Sequence, residues 1–299
     1  MAKEFDLLII GGGPAGITAG IYAARYKLNV ALVAGEFGGY VIKTHIIENY
    51  PGFKAIEGMK LAKKWRQQLN ALKVKIIEEN VVSVSKNDSF ELNLKSGKKI
   101  KGKSLILAIG TERRKLNIPG EDKFFGKGVS YCAVCDAPLF KEKTVAVIGG
   151  SNGACVEALM LAEHASKVYI IYRKEKLRGE PINTERIEKN QKIEVIYNTN
   201  VTEILGNQFV EKIKTDTGKE ISLQGVFVEA GSMPNTHLIN SLGIQTDENG
   251  YIKTDSDQRT NIPLVYAAGD ITTTKLRQII TACAQGAMAA SSAYNDLKK

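Results

Sequence analysis

Hydrophobic and polar positions along this chain fall into a scheme that is used twice. Segment 6–16 (DLLIIGGGPAG) is an apolar run that ends in a glycine turn, and segment 144–154 (TVAVIGGSNGA) is another. The first turn leads into a stretch rich in Ala and Tyr, from Ala15 to Lys27, and then into a second apolar run at 29–34. The second turn leads into Gly153 to Ala165 and an apolar run at 167–172. Strand, tight turn, helix and strand make a βαβ unit, so the pattern predicts two doubly wound nucleotide-binding folds.

Each unit is followed by a second shared pattern. Residues 90–94 (FELNL), a turn at Ser96 and Gly97, and 104–110 (SLILAIG) read as antiparallel strands leading to a final strand. Residues 210–215 (VEKIKT), a turn at Thr217 and Gly218, and 225–231 (GVFVEAG) read the same way. The chain then offers strands at 250–254 and 263–270 and a helix to its end. That last strand belongs with the first copy, which makes the second copy an insertion. The crossings fall near Arg113–Lys115 and Asn240–Leu242. The fold class is therefore α/β, with two Rossmann-like domains, the second inserted in the first.

Length and composition fit this picture. The 299 residues suffice for two domains, and 43% hydrophobic with 24% charged residues is globular composition. No apolar run reaches the roughly 18 residues that span a bilayer. The first apolar run is too short for a signal peptide and ends in glycines, so a cytoplasmic protein is expected. The formal charge is +9, but the lysines are spread out and no basic block is interleaved with aromatics. A solvated basic surface is the better reading, with no nucleic-acid or membrane partner.

Gly11, Gly13 and Gly16 form a full G-x-G-x-x-G after a strand. The first permits the tight turn, the second lets a pyrophosphate approach the backbone, and the third lets helix and strand pack. The helix N-terminus offers free N–H groups to the anion. Glu36 is the candidate for the ribose hydroxyls. In the second copy, Gly149, Ser151 and Ala154 take the three positions, and the Ser151 hydroxyl can donate to phosphate. Arg173, Lys174 and Arg178 follow the next strand, where a 2′-phosphate would need cations; this favours NADPH over NADH.

The four cysteines are Cys132, Cys135, Cys155 and Cys283. A close pair in a reducing compartment is metal-binding or redox-active. Zinc needs about four ligands, and His45, His164 and His237 are not in ligand spacing. Cys132–Cys135 is thus expected to be a redox pair, one thiolate attacking a disulfide and the other resolving the mixed intermediate. Asp136 beside it can shuttle the proton that the leaving thiolate needs. Cys155 and Cys283 lie on predicted helices and read as buried, inert thiols.

Taken together, these features resemble the low-molecular-weight thioredoxin reductases over essentially the whole chain. The 11–16 turn is similar to that family's FAD fingerprint. Gly38 and Gly39 through Glu48-to-Gly52 resemble its flavin loop, and Ala108 to Gly110 its A-T-G segment, with Ile109 for Thr. The 132–136 segment (CAVCD) resembles C-A-T-C-D, with Val134 for Thr. Gly269 with Asp270, and Arg277 with Gln278, resemble the C-terminal flavin motif. The resemblance implies an FAD-binding domain in two parts, 1–113 and 242–299, around an NAD(P)H-binding domain, 114–241, that carries the redox pair. It implies FAD contacts at Gly11, Gly13, Pro14, Ala15, Gly16, Glu36, Gly39, Asn49, Val82, Ala108, Gly110, Gly269, Asp270, Arg277 and Gln278. NADPH contacts would be Gly149, Ser151, Asn152, Ala154, Glu157, Arg173, Lys174 and Arg178. Cys135 would face the flavin, Cys132 would attack thioredoxin or a thioredoxin-like protein, and Asp136 would be the general acid. A homodimer is implied as well.

Overall fold

The computed structural model describes residues 4–236, 238 and 240–299; His237, set aside above as a metal ligand, lies outside them. The chain forms two compact units, Met1–Glu112 with Met233–Lys299, and Arg113–Ser232. The first opens with β1 (Phe5–Gly12), α1 (Pro14–Arg25) and β2 (Val30–Phe37). Leu7, Leu8, Ile9 and Ile10 are all buried, and β1 runs parallel between β2 and β8 (Lys99–Leu107). A central parallel strand is covered on both faces, which is why its sequence is an unbroken apolar run. Pro14 starts α1 at the position where a missing N–H costs nothing.

Between β2 and β8 lie a 3-10 turn (Gly39–Lys43), the short pair β3 (Ile46–Ile47) and β4 (Ile56–Glu57), α2 (Gly58–Ala71), β5 (Lys75–Ile77), β6 (Val81–Lys86) and β7 (Phe90–Leu94). Two boundaries differ from expectation. β2 runs on to Phe37, past Ala34, with a register shift that sets Gly12 opposite Phe37. β8 starts at Lys99 and stops at Leu107, whereas the apolar run predicted 104–110. Its first half alternates exposed Lys with buried Ile and Gly, paired antiparallel to β7, so only one side needs apolar residues.

β9 (Thr111–Arg113) leads into the second unit. There follow β10 (Val129–Ser130), the one-turn helix α3 (Ala133–Asp136), a 3-10 turn (Ala137–Phe140), β11 (Thr144–Ile148), α4 (Asn152–His164), β12 (Lys167–Ile171), α5 (Pro181–Glu188) and β13 (Ile193–Ile196). An antiparallel layer, β14 (Val201–Gly206), β15 (Val210–Thr215) and β16 (Glu220–Ser222), precedes β17 (Gly225–Val228). Five strands form a parallel sheet in the order β10-β17-β11-β12-β13.

β18 (Ser232–Pro234) pairs with β9, and the second compact unit ends at Ser232. Residues 250–254 form no strand; Ile252 makes single bridges to Thr246 and Thr272. β19 (Val265–Ala267) pairs parallel with β8 and returns the chain to the first sheet. α6 (Ile279–Leu297) then packs on α1 through small residues: a Cβ on Gly286 would collide with the Ala15 carbonyl. Among the described residues no helix is long and apolar enough to cross a membrane.

Candidate active site

In the first unit the glycine turn has the shape that a pyrophosphate cradle requires. Gly11 sits at φ +118°, and a Cβ there would strike the Ala108 carbonyl; one on Gly16 would strike Gly11. Gly13 caps α1 and has nothing within 4 Å of its missing Cβ. Close backbone approach thus fixes Gly11 and Gly16, and Gly13 faces open space where an anion would meet the helix N-terminus.

Several expected FAD residues converge on this turn. Gly39 comes within 3.1 Å of the Gly13 Cα, and Gly269 within 3.1 Å of the Ala15 Cβ, both measured from the missing Cβ. The Gly269 N–H donates to Gln285 Oε1 at 2.7 Å. Arg277 Nε reaches the Asp270 carbonyl at 3.4 Å, and burial raises the Asp270 carboxyl above its ordinary value. Asn49 Nδ2 donates to Gln278 Oε1 at 3.2 Å, across more than two hundred residues of sequence. Glu36 lies within β2, exposed, and pairs with Lys43 at 2.8 Å. Val82 on β6 is 58% exposed, near the edge of β2 where Asn80 packs against Gly35. Gly110, at φ +64°, follows buried Ala108 out of the sheet. Cys283 corrects an expectation: it is only partly buried, because the first turns of α6 face the glycine turn, and its thiol approaches the Pro14 carbonyl at 3.9 Å.

The second unit repeats the turn. Gly149 sits at φ +151°, where a Cβ would meet the Glu229 carbonyl. Ser151 caps α4 with φ −79° and ψ 173°, close to the −81° and −175° of Gly13. That extended conformation suits any residue, so serine costs the turn no strain. Its side chain makes no cap bond. The Arg178 N–H donates to the Gly150 carbonyl at 2.7 Å, which fixes the basic loop beside the turn, with Arg173, Lys174 and Arg178 exposed. Ala154 is fully buried. Asn152 is engaged structurally, its Oδ1 accepting from the Glu180 N–H and Asn183 Nδ2. Glu157 is buried against Arg113 at 2.8 Å, and Glu229 closes on the same guanidinium.

Cys132 and Cys135 form a disulfide across α3. Cys135 is exposed and Cys132 half-buried. Cys132 caps the turn, and its sulfur accepts the Cys135 N–H at 3.3 Å. Ser130 Oγ donates to Asp136 Oδ2 at 2.6 Å and accepts the Cys132 N–H at 3.0 Å. Buried Cys155 has its thiol pushed up to about 11 by desolvation, as an inert core residue should. Among the described residues no cluster of His, Cys, Asp or Glu forms a metal site. Ser130, Arg113 and Glu229 were not visible in the sequence; a serine two places before a cysteine carries no signal by itself.

Two nucleotide-type turns and a reactive disulfide on a short helical turn define the class. The chain belongs to the pyridine nucleotide-disulphide oxidoreductase family, whose model matches residues 5–286. Membership implies a flavin and a pyridine nucleotide. Within the family the chain is similar to thioredoxin reductases. It is 39% identical to the one from Listeria innocua, over 97% of this chain and 93% of that protein. The solved thioredoxin reductase of Lactococcus lactis is 38% identical, with a TM-score of 0.95 over 99% of both chains. The one from T. acidophilum is 38% identical, with a TM-score of 0.94 over 99% of both chains.

Proposed function

We propose that this chain is an NADPH-dependent thioredoxin reductase. It passes an electron pair through FAD and the Cys132–Cys135 disulfide to thioredoxin or a thioredoxin-like protein. The observation that carries the reading is the disulfide on α3, with Asp136 tied to its base.

The residues around the first turn fit FAD. Gly13, Pro14 and Ala15 would hold the pyrophosphate at the N-terminus of α1, with Gly39, Gly269 and Asp270 closing around it. Bound there, FAD would supply the hydride-accepting and electron-pair-donating chemistry between the nicotinamide and the disulfide. Gly149, Ser151 and Ala154 would hold the pyrophosphate of NADPH, and Arg173, Lys174 and Arg178 its 2′-phosphate.

The protein's own groups carry the exchange. The Cys135 N–H donated to the Cys132 sulfur favours a thiolate there once the disulfide opens, which supports Cys132 as the attacking residue. Asp136 takes a proton from each enzyme thiol and returns it to the departing sulfur of the partner. A homodimeric, cytoplasmic enzyme is part of this proposal; the exposed Leu276, Ile280 and Met288 at α6 supply apolar surface for a subunit contact.

The test is anaerobic. The flavin-loaded protein is mixed with NADPH or NADH, with and without a bacterial thioredoxin. Bleaching of the flavin by NADPH and release of thioredoxin thiols are expected. A flavin that dithionite reduces but neither nucleotide bleaches would overturn the donor, and ferredoxin or a deazaflavin would be assayed next.

A further inference from the structure

Ser130 ends β10 and is 4% exposed. A serine hydroxyl has one hydrogen and two lone pairs. Here the Cys132 N–H fills a lone pair at 3.0 Å. Two acceptors lie near the hydrogen: Asp136 Oδ2 at 2.6 Å and the Cys132 carbonyl at 3.3 Å. The carboxylate is closer and charged, so it takes the hydrogen. Asp136 itself lies on a one-turn helix at partial exposure, and Ser130 is the side chain that holds its carboxylate there.

We propose that Ser130 is the positioning residue for the acid–base group of the thiol exchange, holding the Asp136 carboxylate to the backbone of the attacking cysteine. The inference rests on the proton role given to Asp136 above. It also assigns the two oxygens: Oδ2 is held by Ser130, which leaves Oδ1 to carry the proton. In the first half of the exchange the Cys132 thiol gives its proton to Oδ1. The bond from Cys132 to the partner's sulfur forms, the partner's disulfide breaks, and the departing sulfur takes that proton. In the second half the Cys135 thiol gives its proton to Oδ1. The Cys132–Cys135 bond forms, the mixed disulfide breaks, and the second partner sulfur is protonated. Two electrons and two protons leave the enzyme dithiol and end on the partner, and Asp136 is unchanged.

Ser130→Ala, Ser130→Thr and Asp136→Asn, each as full-length flavin-loaded protein, test this with thioredoxin as the substrate. Ser130→Ala is expected to lower kcat about tenfold with KM within about twofold, because the group is misplaced and not removed. Its solvent deuterium isotope effect on kcat should rise, which a purely structural loss would not produce. Ser130→Thr, which keeps the hydroxyl, should recover most of the rate. Reduction of the flavin by its donor precedes the exchange and should be unchanged, which also reports an intact protein. Ser130→Ala with the kcat and isotope effect of the unaltered protein, beside a slow Asp136→Asn, overturns the role of Ser130 alone. Asp136→Asn at full rate overturns the proton role and this inference with it.

Discussion

Arg113 Nη2 donates to Glu157 Oε1 at 2.8 Å, where both side chains are largely shielded from solvent. Glu229, just beyond β17, closes on the same guanidinium. One cation therefore serves two buried carboxylates. Desolvation outweighs the pull of Arg113, and the Glu157 carboxyl is pushed up to about 7.

Glu157 binds its proton more tightly in the folded protein than in the unfolded chain, so its contribution is fully present below the ordinary value of 4.5. That stability is lost as pH rises through about 7. Glu157→Gln removes the titration. Guanidinium midpoints measured across this window should fall for the unaltered protein relative to the variant. Parallel curves would show that Glu157 does not titrate there.

A second network behaves in the opposite sense. Asp296 on α6 accepts Arg259 Nε and the Tyr266 hydroxyl, both at 2.9 Å. Arg259 first of all holds this carboxyl down to about 2. Its stabilisation is present above the ordinary 3.8 and is lost as pH falls through about 2. Asp296→Asn should cost about 1–3 kcal/mol at neutral pH, since it weakens the partner of a buried tyrosine hydroxyl. The acid limb of thermal unfolding should also become shallower in the variant. An unchanged acid limb would mean that Asp296 contributes nothing in that range.

The cysteines should be unequal towards a protein disulfide. Cys135→Ser leaves Cys132 to attack without a resolving thiol, so a mixed disulfide with thioredoxin should accumulate. Cys132→Ser should trap little. Mass analysis under non-reducing conditions reads both, and preferential trapping by the Cys132→Ser variant would reverse the assignment.

Local rules made part of this legible. Gly16 answers to a backbone collision with Gly11 inside one βαβ unit, and Gly11 to its own positive φ and to Ala108 at the end of β8, so the tight turn of β1 into α1 is visible in the sequence as glycine spacing. The C-x-x-C pair closes within a single turn and is visible for the same reason. β19 was recognisable because a buried parallel strand must be apolar throughout. The start of β8 was not, because Lys99, Lys101 and Lys103 interrupt the run while pointing away from the core. Nor was the ion cluster, since Arg113, Glu157 and Glu229 come from β9, α4 and the end of β17, and only the completed sheet brings them together. Asn152 fits the nucleotide motif by position, and the sequence did not show that its side-chain oxygen also joins α4 to the start of α5.

The basic loop after β12 offers a test of nucleotide choice. Its backbone is anchored to the turn by the Arg178-to-Gly150 hydrogen bond, whereas the side chains of Arg173, Lys174 and Arg178 stand in solvent. A 2′-phosphate would gain from such cations, and a free 2′-hydroxyl would not. Replacing Arg173 and Arg178 together by Glu should raise the KM for NADPH at least about tenfold, because attraction to the phosphate gives way to repulsion. The KM for NADH should change little, so the ratio of kcat/KM values is the quantity to measure. Equal weakening of both nucleotides would mean that the loop attracts the pyrophosphate in general, and the preference for NADPH would then lose its structural basis.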